Sequence, residues 1–125
     1  MWNDVAAHAT GPVHALSVDE LRRVADQVYA RMRQSCAAIP PAHYTVDLNP
    51  DIGSHTLAYA SANLMLVDEL WVPAAATGYS GIHFMIRVNP TPPNNWWIGD
   101  CASIPDYRFD LQTVLMHEFL HGLGI

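Results

Sequence analysis

The chain has 125 residues, of which half are hydrophobic and 14% are charged, and its formal net charge is −6. This apolar content is enough for the core of one ordinary domain and is too high for a disordered chain. Nucleic-acid binding is not expected, because it needs a basic patch, and all six basic residues are arginines, four of them in the segment 22–33. No apolar run is long enough for a membrane span.

The first predicted element is an amphipathic helix over 17–36. Ser17 and Glu20 form a capping-box pair, in which side chains satisfy backbone N–H groups at a helix start. Apolar residues then recur at helical spacing until the helix ends near Cys36, ahead of Pro40 and Pro41.

Strands are predicted in the middle of the chain. The segment 43–50 alternates and ends at a proline, and 55–73 contains one or two short strands around Ser61–Asn63. The clearest strand is 81–90, "GIHFMIRVNP". Its side chains alternate between two faces: Ile82, Phe84, Ile86 and Val88 on one face, and His83, Met85 and Arg87 on the other.

A long loop rich in proline, asparagine and tryptophan follows this strand, and a loop of this length in a compact domain is usually functional. Trp96 and Trp97 either line a substrate cleft or cover the core. Cys36 and Cys101 can form a disulfide outside the cell or remain thiols inside it. The last element is a helix with Asp110 as its N-cap.

The last helix carries "HEFLHGLG", residues 117–124. His117 and His121 are one turn apart, so their imidazoles project from one face and can bind one metal ion. Glu118 is rotated by about 100° from His117. It therefore lies beside the metal as a base for a metal-activated water. A buried structural role would suit one histidine, but not two at this spacing with a glutamate between them.

His117, Glu118, His121 and Gly124 match the first four fixed positions of His-Glu-x-x-His-x-x-Gly-x-x-His, so the segment resembles the metzincin zinc proteases. The run 107–125 is similar to bacterial-type secreted or surface metzincin-like peptidases. The resemblance implies a zincin-like α+β fold, a mixed twisted sheet with two helices on one side. It also implies a Zn²⁺ cofactor, a peptide or protein substrate and an extracellular location, although no signal peptide is visible.

The resemblance further implies an edge strand that aligns the substrate by backbone pairing, and by position this strand is 81–89. The expected substrate-binding residues are Ile82, His83, Phe84, Met85 and Ile86. Residues 1–125 then correspond to the N-terminal catalytic subdomain of a metzincin. The third histidine of the signature falls at position 127, and the methionine turn is also absent from the sequence.

The sequence therefore does not identify the third metal ligand. It could come from a C-terminal portion or another chain, or from a residue within this one: His43, His55, His83, Asp100 or Cys101. The sequence predicts a zinc-dependent metalloendopeptidase. The alternatives are a catalytically incomplete metzincin-like fragment that acts as a binding or assembly module, and a simple metal-binding or structural domain.

Overall fold

The computed structural model describes residues 16–53, 55–92, 96–99 and 108–125. These residues form a mixed α+β structure with two α-helices, α1 (Val18–Ser35) and α2 (Leu111–Leu123). The strands in chain order are β1 (Tyr44–Leu48), β2 (Ala58–Ala62), β3 (Leu64–Val67), β4 (Leu70–Pro73), β5 (Phe84–Val88), β6 (Trp96–Trp97) and β7 (Phe109–Asp110). A 3-10 turn over Ala74–Ala76 follows β4. The α+β class expected from the sequence is confirmed.

The main sheet has three strands in the order β1-β5-β2. β1 runs parallel to β5, with Val46 opposite Ile86, and β2 runs antiparallel to β5, with Ala60 opposite Ile86. Both sides of β5 are thus paired. The expectation that the strand at 81–89 forms an open edge is wrong, because alternation reveals which face is buried and carries no information about which strands pair.

The core lies between this sheet and the two helices, which contact the sheet and each other. Phe84, Ile86 and Val88 are fully buried on one face of β5, as the alternation predicts. Phe84 meets Phe119 of α2 in an edge-to-face contact at 6.0 Å. Burying a side chain of this size contributes about 1.5–3 kcal/mol, so these residues fix the position of α2 on the sheet.

Both helix starts agree with the prediction. The Ser17 hydroxyl accepts a hydrogen bond from the Glu20 N–H at 3.1 Å, and the Asp110 carboxylate accepts one from the Thr113 N–H at 3.3 Å. Each contact satisfies one of the donors that a helix start leaves without an intrahelical partner. α1 ends at Cys36, which is exposed and is a free cysteine, while Cys101 lies outside the described residues.

β3 and β4 form a separate two-stranded hairpin between β2 and β5. Its turn consists of Asp68 and Glu69, both with positive φ, at 50° and 68°. The sequence pattern predicted one or two strands in this region and did not separate this hairpin, because its turn lacks the usual glycine or asparagine. The segment 73–79, expected to be a loop, includes the 3-10 turn.

Trp96 and Trp97 are both buried. The Trp96 indole N–H donates to the Asn89 carbonyl at 2.7 Å, and Trp96 belongs to the main core. Of the two roles left open by the sequence, the structure favours covering the core. Within the described ranges, neither helix has the length and apolar character needed to cross a membrane.

Candidate metal centre

The histidines of α2 lie together on the exposed side of the helix. The Nε2 atoms of His117 and His121 are 2.9 Å apart, and the two rings are nearly perpendicular, with an interplanar angle of 84°. At this distance one ring can donate an N–H to the other, or both lone pairs can point at one cation. The two predicted ligands are therefore brought together, with their Nε2 atoms in direct contact.

The donor set fits a zinc ion. Two imidazole nitrogens at Zn–N distances of about 2.0–2.1 Å and a tetrahedral angle would be roughly 3.3 Å apart. The observed separation of 2.9 Å differs from this by a few tenths of an ångström, which small rotations of the two exposed rings would supply. Neutral imidazole is also a ligand that zinc prefers.

Glu118 lies between the two histidines in sequence and is 7% exposed, whereas both histidines are exposed. The Glu118 carboxylate is not fully enclosed. Neither of its oxygens is a buried atom without a hydrogen-bond partner, so the group retains contact with solvent. Glu118 is thus the least exposed of the three candidate residues His117, Glu118 and His121.

The last turn of α2 is fixed by two glycines. Gly124 has φ +81° and caps the helix: its N–H reaches the His121 carbonyl at 3.0 Å, and the next N–H, of Ile125, reaches the Leu120 carbonyl at 2.9 Å. A glycine in the left-handed conformation is a common way for a helix to end. A Cβ added at Gly122 would lie 2.5 Å from the Phe84 ring, so glycine is required there for α2 to approach β5.

Six of the 13 residues of α2 are buried, but the apolar residue Met116 is not among them. Met116 is 47% exposed, while Leu115 and Phe119 are fully buried. The apolar positions of this helix cover so much of its circumference that not all of them can face the sheet and α1. Met116 is next to His117 in sequence and shares the exposed side of the helix.

The five predicted substrate-binding residues do not lie on an open edge. Phe84 and Ile86 belong to the core, and Ile82, at 44% exposure, precedes β5. Met85 is half-buried within the central strand, where it pairs with Thr45 on one side and Ser61 on the other. Backbone pairing of a peptide with residues 84–86 is excluded, because their hydrogen-bonding groups already serve β1 and β2.

Both ring nitrogens of His83 contact backbone groups. Its Nδ1 accepts a hydrogen bond from the His43 N–H at 3.0 Å, and its Nε2 contacts the Tyr79 carbonyl. Because one ring nitrogen accepts and the other donates, His83 has no lone pair left for a metal or a substrate. The histidine is 6% exposed, and its role is to join β5, the start of β1 and the turn before β5.

The other in-chain candidates for a third ligand are not grouped with the pair. His43 contacts the Ser80 carbonyl through Nδ1 and stacks on His83, and His55 is exposed. No three His, Cys, Asp or Glu side chains within the described ranges form a metal-binding group. Asp100 and Cys101 lie outside those ranges.

Two residues near the site were missed by the sequence analysis. Pro73, at the end of β4, packs against Gly124, where an added Cβ would overlap its ring. Asn63 joins the hairpin to β5, since its N–H donates to the His83 carbonyl at 2.9 Å and its carbonyl accepts from the Ala74 N–H at 2.8 Å. A proline at a strand end and an asparagine between two strands are turn signals, but no local pattern indicates which distant element they contact.

Comparisons with known protein families, with curated proteins and with solved structures gave no match for this chain.

Proposed function

We propose that this chain is the zinc-binding part of a metalloendopeptidase of the metzincin type with a zincin-like fold. The observation that carries the proposal is the convergence of the His117 and His121 Nε2 atoms, 2.9 Å apart, on a helix whose opposite side is packed on the sheet. Next to them stands Glu118, a carboxylate that is largely buried but not fully enclosed. The resemblance of residues 117–124 to the first part of the metzincin signature assigns the same roles to these three residues.

In this proposal His117 and His121 hold the metal, and Glu118 is the catalytic base. A zinc ion held there would supply a water of lowered pKa and would polarise the scissile carbonyl. Glu118 takes a proton from the attacking water and passes it to the departing amine, which is the exchange expected of one carboxylate acting in turn as base and acid. The products are a new carboxyl end and a new amino end.

In this proposal β2, and not β5, is the edge strand that aligns the substrate. β2 pairs with β5 on one side, and on its other side it has no partner strand among the described residues. The outer N–H and C=O groups of such an edge can bind an extended peptide as an added strand. β2 also contacts α2, so a peptide on this edge would run beside the helix that carries the histidines.

The test is substitution of Glu118 by glutamine. We expect Glu118→Gln to lower peptide hydrolysis by about 10²–10⁴-fold, because the amide cannot accept the proton, while zinc binding measured by atomic absorption stays within twofold. Glu20→Gln, on the far helix α1, is the matched control. Undiminished hydrolysis by the Glu118→Gln chain would remove the catalytic assignment.

A second candidate is a metal-binding or assembly module without hydrolytic activity, completed by a ligand from a further portion of the protein or from another chain. It is favoured by the fact that, in the part of the chain that the structure describes, only two donors converge. Zinc titration combined with peptide cleavage separates the two functions: chelator-sensitive cleavage supports the peptidase, and zinc binding without cleavage supports the module.

A further inference from the structure

The β3–β4 hairpin concentrates exposed apolar side chains in one place. These are Leu64, Leu66, Val67, Leu70 and Trp71, between 44% and 67% exposed. Single exposed apolar residues are normal on protein surfaces, but a contiguous group of them marks an interaction site. A two-stranded hairpin is also only marginally stable in water by itself, so contact with a ligand would stabilise it.

One face of the hairpin forms a continuous strip. Leu66 lies opposite Trp71, and Leu64 lies opposite Pro73. Residues directly opposite each other in an antiparallel pair project to the same face, as do residues two apart along a strand. The strip therefore runs from the Leu66–Trp71 pair near the turn to Pro73 at the base, and we call it the hairpin strip (Leu64, Leu66, Trp71 and Pro73).

The base of the hairpin strip lies beside the candidate metal centre. Pro73 packs against Gly124, which is three residues, or about 4.5 Å along a helix, beyond His121. Four residues of β-strand span roughly 13 Å. An extended peptide with its scissile bond at the His117–His121 pair would thus reach the strip with residues about one to five positions from that bond.

The tip of the hairpin adds charge to this surface. Asp68 and Glu69 are exposed, and both have a left-handed backbone, which is uncommon for a glutamate. Glycine would suit the turn better at position 69, so the turn geometry does not account for the glutamate. Two adjacent carboxylates at the end of an apolar strip complement a peptide in which a basic residue follows apolar ones.

We propose that the hairpin strip is a substrate-binding surface that takes an extended apolar segment of the peptide substrate, with Asp68 and Glu69 binding a lysine or arginine at the end of that segment. This inference rests on the proposed peptidase function, since the position of the strip beside His121 is what selects a peptide as the occupant. It names the class of substrate: peptides with several apolar residues and then a basic residue on one side of the scissile bond.

The test measures binding without turnover, with the Glu118→Gln chain and fluorescein-labelled decapeptides in a polarisation assay with zinc present. One peptide carries four leucine or valine residues followed by lysine, a second has serine and glutamine in place of the apolar residues, and a third has glutamine in place of the lysine. We expect the first peptide to bind about tenfold more tightly than the second and about threefold more tightly than the third. Equal affinity for the first two peptides would overturn the proposal.

Substitutions in the hairpin locate the surface. Leu66→Ser with Trp71→Ser should weaken binding of the first peptide by about tenfold, while Leu66→Met with Trp71→Phe, which keeps apolar contact, should stay within twofold of the parent chain. Asp68→Asn with Glu69→Gln leaves the strip intact and should abolish only the preference for lysine. If the serine variant loses its folded circular-dichroism spectrum, the asparagine–glutamine variant and the peptide comparison still decide the question.

The two proposals fail in different ways. Selective binding by the Glu118→Gln chain, together with no chelator-sensitive cleavage by the unsubstituted chain, refutes the peptidase and keeps the binding surface. Cleavage with no preference between the apolar and polar peptides keeps the peptidase and refutes the surface.

Discussion

Two pairs of neighbouring histidines in the described part of the chain differ in almost every respect. His117 and His121 are exposed, lie one turn apart on α2, and have their Nε2 atoms 2.9 Å apart with rings at 84°. His43 and His83 come from positions 40 residues apart in the chain, and their rings are parallel, at an angle of 3° and a centroid separation of 5.3 Å. In the second pair His83 is buried and both of its nitrogens contact backbone groups.

The partners of the ring nitrogens, more than the proximity of two rings, therefore indicate what a histidine pair does. The nitrogens of His83 satisfy backbone groups of two neighbouring segments, which stabilises the fold and leaves nothing for a ligand. The Nε2 atoms of His117 and His121 face each other at the surface, where a cation can reach them. The contacts of His83 assign that pair to structure, metal binding is our proposal for the other pair, and the following predictions test that division.

The largest expected effect is on zinc affinity. His121→Ala should weaken zinc binding by at least about 100-fold, because loss of even an outer partner of a metal ligand costs 10–100-fold. Isothermal titration with zinc measures this, and His43→Ala is the matched control, expected to bind zinc within twofold of the parent chain. A similar loss in both variants would erase the distinction between the pairs.

The next effect is on stability, and here the larger loss is expected in the His43–His83 pair. His83→Ala should lower the free energy of unfolding by about 2–4 kcal/mol, because it leaves a cavity and two buried backbone groups without their partner. His117→Ala, at an exposed helix position, should change it by less than about 0.5 kcal/mol. Urea denaturation in the presence of a chelator measures both, and a loss of less than about 0.5 kcal/mol in His83→Ala would show that the contacts of His83 are not structural.

The smallest effect concerns pH and involves Tyr44, the residue after His43. Burial, together with its hydrogen bond to Asp26 at 2.8 Å, raises the pKa of Tyr44 above its usual value of 10. Because the folded pKa is raised, this contribution to stability is fully present below pH 10 and is lost as pH rises through the folded pKa. The free energy of unfolding should therefore fall above pH 10.

Tyr44→Phe should make that fall shallower, while lowering stability near neutral pH by about 1 kcal/mol through loss of the hydrogen bond. Some dependence should remain, since burial also raises the pKa of Tyr29 against the opposing charge of Arg33. Urea denaturation between pH 7 and 11.5 is the measurement, and an unchanged slope in Tyr44→Phe would contradict the assignment to Tyr44.

Local features of the fold were predictable from the sequence because their causes are local. Ser17 and Asp110 cap helices through contacts three residues away, and the alternation along β5 reports its two faces. The convergence of His117 and His121 follows from helical geometry alone, since residues four apart share a face. The left-handed turn at Gly124 likewise follows from the residue type.

Features that depend on distant partners were not predictable. Alternation along β5 is the same for a central strand and an edge strand, so the position between β1 and β2 depends on residues far away in the chain. The structural role of His83 depends on its hydrogen bond with the backbone N–H of His43, which is 40 residues away. The exposure of Met116 was also not predictable, because it depends on how much of the apolar surface of α2 the sheet and α1 cover.

The cap at the end of α2 has a consequence for the thermodynamics of metal binding. Helix ends normally fray, and a ligand that binds a frayed turn must offset the conformational entropy lost in ordering it, about 1–2 kcal/mol for each residue fixed. Here the amide protons of Gly124 and Ile125 already engage the carbonyls of His121 and Leu120. These two hydrogen bonds hold the turn that carries His121, and slow exchange of the two amide protons with deuterium in zinc-free buffer would show that the turn is ordered without a metal ion.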